Sequence, residues 1–253
     1  MRRPAFTLVE LLVSVAVIGL LMGLLFPALS AVKATARSVE SLSNLRQMAI
    51  AANKYTTLWD VFPTALRYES VDGVAHRIAW DWVTTFQGQV ISPGPLWDLT
   101  DNPDRVMQDP EYDGPANFNG DPFTGYNYNT TYIAGEAEYV AFGWDVVRKG
   151  VPPHACRRSD RSAIFGCGGW AGGANKFMRA PLNTESGPLE IVYAGGQAFR
   201  YRGCTNVAYI DGHVKSVCSP REGDLATEEL LTGVMDFPHN GFLSDDDSAY
   251  DPR

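Results

Sequence analysis

The chain opens on an uninterrupted apolar run: from Leu11 to Leu29 no residue is charged, Ser14 is the only polar side chain and Pro27 the only proline. As a helix rising about 1.5 Å per residue, the run covers roughly the 30 Å of a bilayer's hydrocarbon core. Arg2 and Arg3 precede it, and the positive-inside tendency then leaves a short N-terminus in the cytoplasm and sends the remaining chain across. Gly19, Gly23 and Pro27 make the stretch 19–27 poor helix by propensity, which predicts a kink or local melting there. Gly19 and Gly23 also spell G-x-x-x-G, a spacing that lets two membrane helices approach closely. Beyond Pro27 the pattern changes. Val32, Ala36, Val39, Leu42, Leu45, Met48 and Ala52 recur at three- and four-residue steps, with Lys33, Arg37 and Glu40 off the stripe. That is an amphipathic helix continuing the apolar one, roughly 45 residues and ~70 Å in all, ending before Pro63.

After the helix the periods shorten. Aromatic runs such as "RIAWDWVTTF" and "AEYVAFGWDVV" alternate with clusters of Gly, Asn, Asp and Pro, which predicts short strands and long loops. The strongest local signal is "CTNVAYIDGHVKSVC", residues 204–218, where two β-rich runs flank Asp211-Gly212. Asp-Gly between alternating runs favours a type I′ turn, so Asn206–Ile210 is expected to pair with His213–Val217. No internal repeat is visible. With 253 residues, 45% of them hydrophobic, the chain can bury one sizeable core.

Within the apolar pattern Glu10 is out of place. A carboxylate drawn toward the centre of a membrane helix costs up to ~2.5–3.5 kcal/mol on insertion scales, so such a group needs a partner. The segment "AFTLVELLVSVAVIGLLMGLLFPAL" resembles the N-terminal signature of type IV prepilins and pseudopilins. The resemblance implies that a prepilin peptidase cuts between Ala5 and Phe6, that the new Phe6 amine is methylated, and that Glu10 pairs with the Phe6 amine of a neighbouring subunit. Ala5 stands where the family usually has glycine. Pro27 lies where pilins commonly carry a helix-breaking proline. The stretch "SNLRQMAIAANKYTTLWDVFPTA" is similar to the segment after the anchor in a set of pilin-like proteins that carry an H-x9-DG motif near the C-terminus. Here "NVAYIDGHV" matches its core, while Tyr201 occupies the histidine position. The implied fold is α+β: a long N-terminal α-helix, anchor plus stem, packed on a globular head with an antiparallel sheet. The implied organisation is a leader at 1–5, an assembly helix at 6–29, a stem at 30–58 and a periplasmic or extracellular head at 59–253 with an acidic tail. A competing reading is an ordinary secretory signal, with Ala28 and Ser30 spaced for cleavage before Ala31.

Charge and cysteines narrow the partners. The formal net charge is −8, and loss of Arg2 and Arg3 with a leader takes it to −10, which disfavours nucleic acid. Cys156, Cys167, Cys204 and Cys218 all lie beyond the anchor, in an oxidising compartment, so disulfides are expected. Of three connectivities, Cys156–Cys167 with Cys204–Cys218 is preferred because the latter pair flanks the hairpin. Zinc through His154, Cys156, Cys167 and His213 lacks paired C-x2-C spacing. Some pseudopilins bind calcium in a C-terminal acidic loop, and the resemblance makes Asp245, Asp246 and Asp247, with Asp251, the candidate ligands, although a run of aspartates near a terminus is more often a solvated segment. No cofactor is otherwise implied. Nucleophile elbow, H-E-x-x-H, P-loop and dinucleotide fingerprints are absent from the sequence. "GCGGW" around Cys167, with His154 or His213 as base, is the one nucleophile-like stretch, and it reads better as a glycine-rich turn about a disulfide cysteine. The expectation is a structural, non-catalytic subunit, inserted in the inner membrane, whose partners are a prepilin peptidase and other pilin or pseudopilin subunits. The alternative is a secreted or anchored solute- or carbohydrate-binding module with Trp80, Trp82 and Trp170 lining its site.

Overall fold

One helix, α1 (Leu8–Trp59), runs ~78 Å at 1.5 Å per residue. In this computed structural model the described residues are 7–71, 73–97, 104–114, 121–134, 150–181 and 195–253. Helical structure continues without a break through Gly19, Gly23 and Pro27, so the predicted melting does not occur. Proline deletes one N–H, and the leucine-rich turns on both sides sustain the rest of the ladder, because propagation is far easier than nucleation. The helix stops at Asp60, whose left-handed backbone (φ 55°) lets its N–H close on Thr56 O at 2.9 Å.

The face that α1 buries starts later than the apolar stripe does. Leu45, Met48 and Ala52 are buried as predicted, together with Ser41, Asn44, Ala49, Ala51 and Thr56, whereas Val32 and Val39 remain 64% and 61% exposed. Ser41 and Asn44 are drawn inward because the head offers partners, Cys167 Sγ at 3.7 Å from Ser41 Oγ and Tyr126 Oη at 3.3 Å from Asn44 Nδ2.

Among the described residues the head supplies two sheets. The first is an antiparallel meander of β1 (Leu66–Val71), β2 (Val74–Ala79), β3 (Trp82–Thr85) and β4 (Val90–Pro93). A four-residue helix, α2 (Asp104–Met107), precedes the second sheet. That sheet is built from β5 (Tyr126–Asn129), β6 (Ala163–Gly169), β7 (Phe177–Met178), β9 (Cys204–Tyr209) and β10 (Val214–Cys218), in the order β10-β9-β6-β5-β7. Within it β5 and β7 run parallel; β8 (Gly196–Ala198) joins the end of β6, and β11 (Asn240–Gly241) joins β8. The fold is α+β. Trp80, Tyr128 and Phe165 meet at ring-centroid distances of 4.8–5.7 Å and, with Leu45 and Met48, centre the core. "GCGG" is therefore not a turn but part of a fully buried strand. Its glycines serve packing: a Cβ on Gly168 would collide with Asn175 O.

The hairpin forms, one residue out of the predicted register. Val214 lies opposite Ala208 and Cys218 opposite Cys204, which leaves the three residues Ile210, Asp211 and Gly212 as the loop. Gly212 alone takes a positive φ (90°), and its N–H closes on Tyr209 O at 2.9 Å. This is a type I turn followed by a left-handed glycine, not the I′ turn expected. Asp211 explains the choice, since its Oδ1 accepts from His213 N at 3.0 Å and fixes its own backbone outside the left-handed region.

The shifted register sets Cys204 directly across from Cys218, and the two form a disulfide. Cys156 and Cys167 do not pair and are free thiols, correcting the second bridge. Cys167 lies inside β6 beneath α1, beside Ser41, while Cys156 ends a 3₁₀ turn with Sγ 3.9 Å from Pro152 O. Burial pushes the Cys156 thiol up to about 11 and Cys167 further, so neither supplies a thiolate nucleophile near neutrality. Replacing Cys204 with Ser, or reducing the bridge, is expected to destabilise the head by about 3 kcal/mol, the loop-closure value for ~15 residues. Thermal melting with and without reductant measures this. Equal melting would show that the ladder alone holds the hairpin.

Candidate functional site

The first turn of α1 solves the problem that Glu10 poses. Thr7 is the N-cap: its Oγ1 accepts from Glu10 N at 3.2 Å, while Glu10 Oε2 accepts from Thr7 N at 2.9 Å and from Thr7 Oγ1 at 2.7 Å. The two residues form a capping box that satisfies two backbone donors, and the carboxylate sits at the positive end of the helix dipole. Ala5 and Phe6 lie outside the described residues. From Leu8 to Leu29 every side chain is exposed, and the head covers none of this apolar stretch, which is long enough to cross a membrane. This half of α1 is an apolar rod waiting for another apolar environment.

A second constellation lies where α1 meets the head. Tyr201 is buried, and its hydroxyl donates to Asp109 Oδ1. Asp109, fully buried, also accepts from Glu111 N at 3.0 Å and from Arg200 Nη1 at 3.2 Å. Arg200 donates its other nitrogen to Gly168 O at 2.5 Å and lies over the Tyr112 ring at 4.7 Å. Burial first, and then the Asp109 charge, hold the Tyr201 phenol far above its usual range, so it stays a donor. The position that the resemblance assigns to a histidine thus carries a structural clamp. Beside it Arg37 of α1 pairs with Glu111 at 2.8 Å. The turn at Asp211 and Gly212 is a separate surface feature, with His213 stacked on Tyr209 at 4.2 Å and its Nδ1 2.7 Å from Asp211 Oδ1.

Residues 1–26 match the family described as the prokaryotic N-terminal methylation motif. The chain has a prepilin-type N-terminus. No curated protein and no solved structure matches the chain. The prepilin-type motif and the apolar helix behind it together support a membrane-anchored, pilin-like precursor, and the motif belongs to structural subunits rather than catalysts.

Elsewhere on the prepilin-type chain the predicted ligands disperse. Asp245 faces Arg221 at 3.5 Å, Asp246 caps its own turn by accepting from Ser248 N at 3.0 Å, and Asp247 turns inward to accept from the Tyr132 hydroxyl. Among the described residues no three His, Cys, Asp or Glu side chains converge as metal ligands. Trp80 and Trp82 are buried core residues, 2% and 4% exposed, so they line no binding surface. Trp170 does border an open cleft of about 440 Å³, together with Tyr112, Arg200, Asp236 and His239.

Sequence reasoning missed Thr7, Asp109 and Arg200. The first was detectable, since "TLVE" before an apolar run is the capping-box pattern. The other two carry no local signature, because Asp109 meets its partners 91 and 92 residues away.

Proposed function

We propose that the chain is a pilin-like or type II secretion pseudopilin-like subunit. It is inserted in the inner membrane, cut by a prepilin peptidase between Ala5 and Phe6, methylated on the Phe6 amine and assembled through α1 with other such subunits, its head in the periplasm or outside the cell. The observation that carries this reading is the exposed rod from Leu8 to Leu29 with a single carboxylate at its front. An apolar rod left bare by its own head gains free energy equally in a bilayer or in a bundle of like helices, so it can pass from one to the other. Glu10 gives the bundle its register. In the free chain its carboxylate is held by Thr7; in a filament it exchanges part of that contact for the Phe6 ammonium of a neighbour, neutralising both charges in an apolar core. Gly19 and Gly23, with nothing within 4 Å of where their Cβ atoms would be, leave flat patches for close helix approach.

The role is assembly and not catalysis, and the acidic surface makes nucleic acid a poor partner. The binding-module alternative loses two of its three tryptophans to the core. The intact mass and N-terminal residue of protein from its native membrane fraction test the proposal. A methylated Phe6 terminus is expected; a terminus at Ala31 would make the chain an ordinary secreted protein and overturn it.

A further inference from the structure

Three charged side chains lie deep in the head, far from the N-terminal chemistry. Lys176 is 3% exposed, and its Nζ stands 2.8 and 3.0 Å from the two oxygens of Asp81 and 2.5 Å from Asp121 Oδ2. One ammonium faces two carboxylates, and none of the three side chains is more than 6% exposed. Tryptophans flank Asp81 in the chain. Trp80 donates Nε1 to Lys176 O at 3.1 Å, and Trp82 stacks on Phe123 with centroids 6.2 Å apart.

As a purely ionic device this arrangement is poor. Burying charges costs several kcal/mol per ion, and a second carboxylate on one ammonium leaves an uncompensated charge unless a proton is taken up. Asp121 takes that role. Burial, then the Asp81 charge, raise its carboxyl above the usual carboxylate range against the opposing pull of Lys176, which favours the neutral acid. Its Oδ1 has no hydrogen-bond partner among the described residues. Asp81 differs. Both its oxygens face Lys176, and Oδ1 also accepts from Trp82 N at 2.9 Å, which fixes the carboxylate in place.

We propose that Lys176 and Asp121 condense to an intramolecular amide between Nζ and Cγ, with Asp81 as the proton carrier. Burial opposes the Lys176 ammonium, but the two carboxylates outweigh it and hold the group above its usual range, so the amine forms only by direct transfer of a proton to the Asp81 carboxylate it touches at 2.8 Å. The neutral Nζ attacks Cγ of the Asp121 acid, forming the C–N bond and a tetrahedral centre. Asp81 then returns its proton to the departing hydroxyl, which leaves as water, and takes the last proton from nitrogen as the amide forms. Three protons on Nζ and one on Asp121 become one on the amide nitrogen, two on water and one on Asp81. The net charge of the lysine and Asp81 is zero before and after, and no electron carrier is needed. Two forces favour the product. The reacting groups are held in contact, which replaces a bimolecular encounter by a unimolecular step, and the amide removes charges from a site that solvates them badly.

The link predicts a specific mass. Full-length chain solubilised in detergent and reduced is expected to weigh one water less than its determined N-terminus requires. Proteolysis is expected to release a branched peptide joining the segments that contain Asp121 and Lys176. Asp81→Asn, which keeps shape but carries no exchangeable carboxylate, is expected to lower the branched fraction at least tenfold. Asp121→Asn is expected to retain branching, with loss of one ammonia instead of one water. Linear peptides at full mass in the wild-type protein would overturn the proposal whatever the variants do. So would a missing water that maps to a succinimide at Asp211-Gly212, with Lys176 still open to acylation. Neither readout depends on filament assembly, so this inference and the proposed function fail separately.

Discussion

Glu10→Gln is expected to insert in the membrane and keep its first helical turn, yet enter filaments about a hundredfold less than wild type. The reason lies in the two tasks that one side chain performs. Glutamine at the third helical position still completes a capping box with Thr7, because an amide oxygen accepts the N-cap N–H as a carboxylate does. It cannot neutralise a buried ammonium. Removing one partner of a buried ion pair costs ~3–5 kcal/mol, and the lower end already corresponds to about a hundredfold in partition. Glu10→Ala removes both functions and is expected to be at least as defective. The ratio of tagged subunit in sheared filaments to that in membranes measures both variants. Normal incorporation of Glu10→Gln with failure of Glu10→Ala would show that the residue acts as a cap only and that no intersubunit pair forms.

Asp109→Ala is expected to produce the largest loss of stability in the head, about 3–5 kcal/mol, because it strips the carboxylate from a largely enclosed Arg200 and leaves the Tyr201 hydroxyl without its acceptor. The Arg200 side chain is only 15% exposed, so water does not readily replace the lost partner. Asp109→Asn keeps an acceptor for Tyr201 while removing the charge and should fall between the two. Denaturant unfolding of the detergent-solubilised chain, followed by tryptophan fluorescence, reports the change, since Trp80, Trp82 and Trp97 are core residues. A loss below about 1 kcal/mol would place the cluster with ordinary surface pairs.

These two residues also mark where sequence stops being informative. Glu10 was conspicuous because a charge interrupts an apolar period, and its chemistry follows from four neighbouring positions. Asp109 was one aspartate among several in a loop-like stretch; its role is created by distant segments, the end of β6 at Gly168 and the β8–β9 turn at Arg200 and Tyr201. The same division runs through the fold. The helix and the hairpin were legible because period and turn chemistry are local. The hairpin register was not, because the bonds Asp211 makes to His213 decide between two turns that the dipeptide Asp-Gly equally allows. Likewise the stripe on α1 gave the correct face for Leu45, Met48 and Ala52 but could not say where along the helix the head begins. Lys176 and Asp121, separated by 55 positions, belong to the same nonlocal class.

The docking of α1 on the hairpin has a mechanical side. Asn206 Nδ2 reaches Ser38 O at 3.2 Å near one end of the contact, and Asn53 Nδ2 reaches Ile210 O at 3.0 Å near the other. The two anchor points on α1 are ~22 Å apart along the axis. A tensile load along the stem therefore shears the interface, straining both anchors together, whereas a sideways pull would peel them one after the other. The same bonds that look modest at equilibrium resist force best in the direction of the helix axis.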